Sequence, residues 1–410
     1  MDKNGIIKLA MKNDSKQDLS ILFIVPSDYA SLLEKGVASM ILERDEGGFF
    51  KRVFNIHPYA SRTQTVDLDE THRLIEFGPD YPFSFLNFKG GGLINYFFKP
   101  PFVLERLIHM VKKENIDMIR ATDPYWCGFY AWAVSRSTGI PFCISIHADY
   151  DKCYSLVGRR SGNPLLFKLF EIFSLPRAKL VMPIREYLVP WVLKRGVPSN
   201  RIRVIPHGVV MEDFSNPERE DVFEMFGVPR GKKILSFVGR LAKENYVYDI
   251  VAMAKHLSKR REDFVVLLVG GGSEHENLKA LVQECNLSSF VIFTGFQPRQ
   301  KVILIRRQSS MALCLMGGLS LIEASAASLP IIAYDVEWHS ELVKNGKTGF
   351  LIEEGNLEAL MKSVVYLLDH PEEAREMGTN ARELAVARHH VSSTSEVKKN
   401  CYRELLQSRF

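Results

Sequence analysis

Long apolar runs are absent from this 410-residue sequence: nowhere do about 18 or more apolar residues follow one another, so no transmembrane helix is predicted. The opening stretch, MDKNGIIKLAMKNDSKQDLS, carries charges throughout and has no apolar centre, which argues against a signal peptide. The six cysteines form no C-x-x-C pair and no zinc-type spacing, and Cys143 and Cys314 lie in apolar runs, as buried thiols do. These absences favour a protein of the reducing cytoplasm, with room for peripheral contact at the inner face of a membrane.

The sequence also lacks the short motifs of several enzyme classes. G-x-G-x-x-G, Walker, G-x-S-x-G and H-E-x-x-H patterns do not occur, so dehydrogenase, nucleoside-triphosphatase, serine hydrolase and zinc peptidase functions have no support. Charge is nearly balanced, with 53 basic and 48 acidic residues and a net charge of +5. This mild excess without a dense basic patch predicts no nucleic-acid partner. It favours either an anionic small substrate or loose attraction to an anionic membrane surface.

Two successive sets of short apolar runs predict the fold. The first set is ILFIVP (21–26), IDMIRA (116–121), FCISIHA (142–148), KLVMPI (179–184) and IRVIPHG (202–208). The second set is KILSFVG (233–239), FVVLLVGGG (264–272), VIFTG (291–295), MALCL (311–315), PIIAYDV (330–336) and GFLIE (349–353). Amphipathic stretches such as FVLERLIHMVKKE (102–114) separate the runs. Apolar strands that alternate with helices indicate an α/β protein with two doubly wound, Rossmann-like parallel sheets.

The same pattern predicts the domain boundaries. A polar extension covers residues 1–18, a first domain 19–205 and a second domain 206–385. The link begins with PHGVVMEDFSNPERED, which is rich in proline, glycine and acidic residues. A charged final helix over 386–410 either ends the second domain or packs back on the first.

One acidic residue stands alone in an apolar helix of the second domain. In LCLMGGLSLIEASAASLP (313–330), a strand is followed by a glycine turn and then by a helix that carries Glu323. A lone glutamate is usually a solvated surface residue, but ligands of doubly wound sheets bind beyond the carboxyl ends of the strands. Gly317 and Gly318 let a ligand approach the backbone, and the amides that start the helix suit an anion such as a diphosphate. Leu319, Leu321 and Ile322 are predicted to anchor this helix.

The second half resembles the donor domain of the retaining group 1 glycosyltransferases, which have the GT-B fold with a cleft between two domains. The matching segments are VIPHGV (204–209), SFVGRLAKENYVYDIV (236–251), LVGGGSEHENLKALVQECNL (268–287), VIFTGF (291–296) and GGLSLIEASAASLPIIAYDVEWHSELVKNGKTGFLI (317–352). The first half resembles the family more weakly, through ATDPYWCGFYAWAVSRSTGIPFCISIHA (121–148). A single match would mean little, but the ordered series indicates this family.

The resemblance implies roles for several residues. Arg240 falls on the arginine that holds the donor diphosphate, and Glu323 falls on the glutamate that holds the ribose, the second of an E-x7-E pair. His147 matches a histidine near the donor sugar. The predicted donor-binding residues are Gly317, Gly318, Leu319, Asn245 and Phe296. The resemblance also implies that the leaving phosphate helps to deprotonate the acceptor, and that no metal and no further cofactor are required.

Two positions depart from the family pattern. The first glutamate of the pair would be residue 315, which is Leu315, and the family lysine would be residue 245, which is Asn245. Lys243 is predicted to reach the phosphates in place of that lysine. Loss of one charged contact costs about 1.5–3 kcal/mol, or about ten- to a hundredfold in rate or affinity. The departures leave a second hypothesis open, in which the chain binds a nucleotide-sugar or a partner without transfer.

The remaining polar candidates lie mostly in the first half. The D-x-D sequence formed by Asp149 and Asp151 resembles a metal motif of another glycosyltransferase fold, but the doubly wound pattern favours contacts with the acceptor or a lid. Arg159, in the basic loop that follows, is either an acceptor contact or a solvated side chain. The acceptor is expected to be a glycan, a lipid-linked molecule or a small molecule. Trp338, His339 and Glu341 either line the donor pocket or are structural.

Overall fold

The computed structural model describes residues 18–34, 38–78, 92–151, 164–215 and 220–407. The chain divides into two compact units. One comprises Met1–Ile205 together with Val397–Phe410, and the other is Pro206–Glu396. Among the described residues, no helix combines the length and the apolar character needed to cross a membrane.

The first unit is built on a seven-stranded sheet. Its strands are β1 (Ser20–Ile24), β2 (Arg52–His57), β3 (Gln64–Asp67), β4 (His72–Glu76), β5 (Met118–Ala121), β6 (Phe142–Ile146) and β7 (Leu180–Pro183). Their spatial order is β3-β4-β2-β1-β5-β6-β7, and every pair is parallel except β3 with β4. The order reverses between β1 and β5, as the doubly wound pattern requires.

Helices cover this sheet. Their ranges are Tyr29–Glu34, Gly92–Lys113, Trp126–Thr138, Pro164–Ser174 and Val189–Leu193. The last helix, Val391–Gln407, contributes Cys401, Tyr402 and Leu405 to the apolar cluster that contains Ile21 and Phe23 of β1. Residues separated by more than half of the chain therefore share one core.

One predicted strand of the first unit does not form. Residues 202–208 form no strand: Ile202 makes one isolated bridge to Val181, and Pro206 has no amide hydrogen with which to continue a ladder. The sheet is parallel as predicted except at its edge, where β3 pairs antiparallel with β4 through a short connection. Strands β2 and β4 carry buried polar residues such as Asn55 and His57, which hide the apolar signal of a strand.

The second unit contains a six-stranded, fully parallel sheet. Its strands are β8 (Lys233–Val238), β9 (Phe264–Val269), β10 (Val291–Gly295), β11 (Met311–Leu313), β12 (Ile331–Tyr334) and β13 (Gly349–Ile352). Each lies within an apolar run that the sequence predicts as a strand. The spatial order is β10-β9-β8-β11-β12-β13, so the order reverses between β8 and β11.

The helices of the second unit cover both faces of its sheet. They are Val222–Met225, Val247–Leu257, His275–Glu284, Arg299–Gln308, Leu319–Ala326, His339–Leu342, Leu357–Asp369 and Pro371–His389. One apolar cluster contains Leu235, Val266 and Val364, and a second cluster contains Ile234, Val265 and Leu304. Neighbouring strand residues thus point to opposite faces, and both faces are buried.

Candidate active site

The reversal of strand order in the second sheet brings two loops together. Strands β8 and β11 are neighbours, with Met311 opposite Leu235, and the connections that follow them leave in opposite directions. A crevice at the carboxyl ends of the strands results, which is where doubly wound sheets bind ligands. The loop after β8 carries Arg240, and the loop after β11 carries Gly317 and Gly318.

The loop after β8 is fixed by its backbone. The amide of Leu241 donates to the carbonyl of Gly271 at 2.9 Å, and the amide of Glu274 donates to the carbonyl of Leu241 at 2.9 Å. A Cβ atom on Gly272 would lie 2.4 Å from the Leu241 carbonyl oxygen, so only glycine permits this approach. The glycines after β9 therefore position the neighbouring loop and its Arg240.

Arg240 projects from this fixed loop into solvent. Its side chain is 73% exposed, and one guanidinium nitrogen lies 3.0 Å from Glu244. Lys243 is exposed nearby, at the start of a short 3-10 turn. Asn245, at the position of the family lysine, donates from Nδ2 to the carbonyl oxygen of Arg240 at 2.7 Å. Asn245 thus braces the backbone that presents Arg240.

The buried side chain of His339 hydrogen-bonds the turn after β11. The imidazole is fully buried, its Nε2 accepts from the amide of Gly317 at 3.0 Å, and its Nδ1 lies 2.8 Å from the carbonyl oxygen of Tyr334. A proton on Nδ1 satisfies both contacts. A Cβ atom on Gly317 would lie 2.9 Å from the Leu321 Cβ, so this turn also requires glycine. The sequence leaves His339 either a pocket-lining role or a structural role, and these contacts support the structural role.

Leu315 is a core residue. Its side chain is fully buried in the apolar cluster that includes Leu313 and Tyr334. The leucine therefore offers no polar group to a ligand, and the interpretation of residue 315 as a lost sugar ligand stays a prediction.

Glu323 lies one turn into helix Leu319–Ala326 and is 8% exposed. Arg299 donates to Oε1, and Nη2 of the fully buried Arg306 lies 3.5 Å from Oε2. Arg299 also reaches Asp213 at 3.2 Å, and Arg306 donates to Ser320 at 3.0 Å. Each carboxylate oxygen thus faces one arginine. The ribose role of Glu323 stays a prediction.

Two apolar side chains are exposed on the same carboxyl edge. Phe296 follows β10 and is 76% exposed, and Leu319 begins the helix after the glycine turn and is 41% exposed. Of the three residues predicted to anchor this helix, Leu321 and Ile322 are fully buried, whereas the exposed side chain of Leu319 does not anchor it.

The first-unit candidates lie beyond the end of β6. His147 follows Ile146, and its side chain reaches solvent. Desolvation by the protein around the ring, followed by the charges of Arg120, Arg44 and Arg185, lowers its pKa to about 4. The ring is therefore neutral at pH 7 and can accept as well as donate a hydrogen bond.

The D-x-D pair is engaged with protein partners. Asp149 accepts from the amide of Asp151 at 3.0 Å. Asp151 in turn pairs with Lys168 at 2.7 Å and with Arg195 at 2.8 Å. Two cations thus already face the Asp151 carboxylate. Arg159 lies outside the described residues.

Several charged residues in these sites carry little signal in the sequence. Arg299 and Arg306 follow an ordinary strand end and an apolar helix run, and nothing in their spacing links them to Glu323. The one sign in the sequence is that Arg306 ends the apolar run VILIR, where a charged residue is buried only with a partner.

The architecture defines the class of protein. Two doubly wound units of this kind form the GT-B fold of glycosyltransferases. HepE of Anabaena in complex with UDP has the same fold, with a TM-score of 0.74 and 15% identity over 94% of this chain and 100% of that one.

Sequence comparison identifies the family. Residues 218–384 match the family described as Glycosyl transferases group 1, and residues 70–213 match Glycosyltransferase Family 4. The chain therefore belongs to the group 1 glycosyltransferases, and transfer of sugars from nucleotide-sugars is the activity of this family.

Two curated relatives illustrate the family. The alpha-D-kanosaminyltransferase of Streptomyces kanamyceticus is 23% identical over 294 residues, which are 68% of this chain and 74% of the relative. The UDP-Gal:alpha-D-GlcNAc-diphosphoundecaprenol alpha-1,3-galactosyltransferase of Escherichia coli is 27% identical over 271 residues, which are 64% of this chain and 69% of the relative.

Proposed function

We propose that the chain transfers a sugar from a nucleoside-diphosphate sugar to an acceptor hydroxyl, with retention of configuration and without a metal. The pairing of β8 with β11 carries the proposal, because it puts the Arg240 loop and the start of helix Leu319–Ala326 at neighbouring strand ends. An exposed guanidinium and the free amides of a helix start are the groups that bind a diphosphate.

The chemistry follows from where charge develops. As the bond between sugar and phosphate breaks, negative charge builds on the departing diphosphate. Arg240, Lys243 and the amides after Gly318 would stabilise that charge from positions fixed before the reaction. The backbone bonds of Leu241 and the brace from Asn245 support this role, since they hold the Arg240 loop without help from a ligand.

The sugar-side and ribose-side contacts complete the proposal. Glu323 would hold the ribose hydroxyls while Arg299 and Arg306 keep its carboxylate oriented. A neutral His147 would donate to or accept from a sugar hydroxyl. Metal independence is supported by the contacts of Asp151, whose carboxylate already faces Lys168 and Arg195.

The acceptor class is proposed from the relatives. The Escherichia coli relative acts on a diphosphoundecaprenol-linked sugar, by its name, and a lipid-linked or glycan acceptor fits that comparison. Peripheral contact with a membrane would accompany a lipid-linked acceptor.

Nucleotide binding tests the proposal. The full chain is titrated with UDP, GDP and ADP, and release of nucleoside diphosphate from nucleotide-sugars is followed with and without EDTA. We expect one diphosphate to bind in the micromolar range and turnover to survive EDTA. Strict dependence on added manganese would contradict metal independence. Tight binding without transfer to any acceptor would instead favour a binding module.

A further inference from the structure

Two arginines of the first unit share one aromatic ring. The guanidinium carbons of Arg44 and Arg120 lie 5.0 and 5.5 Å from the ring centre of Phe23 on β1. Both side chains are partly exposed, so a ligand from solvent can reach them. Burial and the charge of Arg120 lower the pKa of Arg44 to about 10, which still leaves Arg44 protonated at pH 7.

The hydrogen bonds of both arginines go to neutral oxygens. Arg120 donates to Ser145 Oγ at 2.8 Å and to the hydroxyl of Tyr402, and Arg44 donates to Asn55 Oδ1. Within the described ranges, no carboxylate lies within 4 Å of either guanidinium, and the nearby Glu46 pairs with Lys398 at 2.8 Å. Two like charges beside one ring, with no carboxylate in contact, leave a place where a bound anion would interact with both.

Unsatisfied polar groups lie on the same face of the sheet. Asn55 is opposite Phe23 in the ladder of β1 and β2, and His57 follows two residues later on that face. Both side chains are at least 99% buried, and Asn55 Nδ2 forms no hydrogen bond with any described residue. The ring nitrogens of His57 also form none, but Nδ1 lies 3.6 Å from the buried carboxylate of Glu76. A buried group without a partner is rare, and it indicates a missing ligand or water.

We infer that Arg44, Arg120, Asn55 and His57 form a binding site for a phosphate group of the acceptor. This inference rests on the proposed function, because it names the acceptor class of that reaction: a hydroxyl compound that also carries a phosphate. A phosphate ester brings close to two negative charges and three acceptor oxygens, which match two guanidinium forks and two neutral donors. The phosphate belongs either to a soluble sugar or polyol phosphate or to a lipid headgroup.

Binding of small phosphates tests the site without turnover. Calorimetry is run on the full chain with inorganic phosphate and with glycerol phosphate, and sedimentation is run with phosphatidylcholine vesicles with and without phosphatidic acid. The variants are Arg44→Gln, the charge-retaining Arg44→Lys, and the control Arg73→Gln, whose arginine already pairs with Asp67. UDP binding is measured on each.

Arg44→Gln is expected to weaken phosphate binding about ten- to a hundredfold, while Arg44→Lys loses less and Arg73→Gln loses nothing. UDP affinity is expected to stay unchanged. Added phosphate is expected to raise the melting temperature of wild type more than that of Arg44→Gln. A preference for glycerol phosphate indicates a soluble acceptor, and co-sedimentation only with phosphatidic acid indicates a lipid acceptor.

Equal phosphate affinity in wild type and Arg44→Gln, or no phosphate binding by wild type at millimolar concentration, would overturn the site. An equal rise in melting temperature on adding phosphate to wild type and to Arg44→Gln would also overturn it. Failure of UDP to bind, with phosphate binding still dependent on Arg44, would instead overturn the proposed function and leave this anion site in place.

Discussion

The two sheets have the same order of their parallel strands, yet their carboxyl edges are built differently. In the second unit, the edge consists of tight backbone turns, from which Arg240 and Phe296 project into solvent. In the first unit, the edge is formed by polar side chains on the strands themselves, including the buried Asn55 and His57. A site made of turns leaves glycine-rich motifs in the sequence, whereas a site made of scattered strand residues leaves none. This difference explains why the carboxyl edge of the second sheet can be recognised from the sequence, whereas that of the first sheet is recognised only in the structure.

The largest effect is expected at the core below the turns. Leu315→Glu places a carboxylate in a fully buried apolar cluster and should cost several kcal/mol, a large part of the stability of a domain. Urea unfolding measures it, with Leu315→Met as the control that keeps the volume and should cost less than about 1.5 kcal/mol. Equal unfolding free energies for Leu315→Glu and wild type would show that residue 315 faces solvent, as a ligand would.

The next effect concerns the carboxylate between two arginines. Glu323→Leu leaves the buried Arg306 without its ion-pair partner and should lower the free energy of unfolding by about 3–5 kcal/mol. Replacing both residues, in Glu323→Leu/Arg306→Met, should recover much of that loss. Thermal and urea unfolding compare these variants with Glu284→Gln, an exposed control. If Glu323→Leu is as stable as wild type and only nucleotide affinity falls, the carboxylate acts on the ligand alone.

A third substitution separates activity from stability. Arg240→Ala removes an exposed side chain and should reduce turnover about a hundredfold, because a cation at the diphosphate is lost, while the free energy of unfolding changes by less than about 0.5 kcal/mol. Nucleoside-diphosphate release and urea unfolding are measured together. The exposed Arg260, which precedes β9 at the opposite edge of the sheet, provides the control. Undiminished turnover in Arg240→Ala would remove this edge from the mechanism.

The smallest effect is a pH dependence at the first edge. Burial, followed by the charge of Arg44, lowers the pKa of His57 to about 4, against about 6.5 in an unfolded chain. Between these values the unfolded state binds more protons, so stability from His57 is complete above pH 6.5 and is lost as the pH falls towards 4. His57→Gln should make the melting temperature depend less on pH between about 4 and 6.5. An unchanged slope would mean that the ring titrates normally.

The sequence predicts the second unit closely because each strand there is an uninterrupted apolar run next to a recognisable turn. Strands β2 to β4 escape prediction because Asn55, His57 and Glu76 are buried polar residues whose tertiary partners cannot be read locally. The same limitation applies to Glu323: its position on the helix is predicted, but Arg299 and Arg306 meet it only after folding. Leu315 is a different case: residue spacing assigns this position to a sugar ligand of the family, and the structure shows that the leucine found here packs in the core.

The last helix has a consequence for the order of synthesis. Cys401, Tyr402 and Leu405 complete the apolar cluster around Ile21 and Phe23, and Tyr402 also bonds Arg120. The first strands leave the ribosome long before residue 405 is translated. This face of the first sheet therefore stays uncovered until the second unit has been synthesised. During that interval the nascent chain exposes an unfinished apolar surface, and chaperones are expected to bind there.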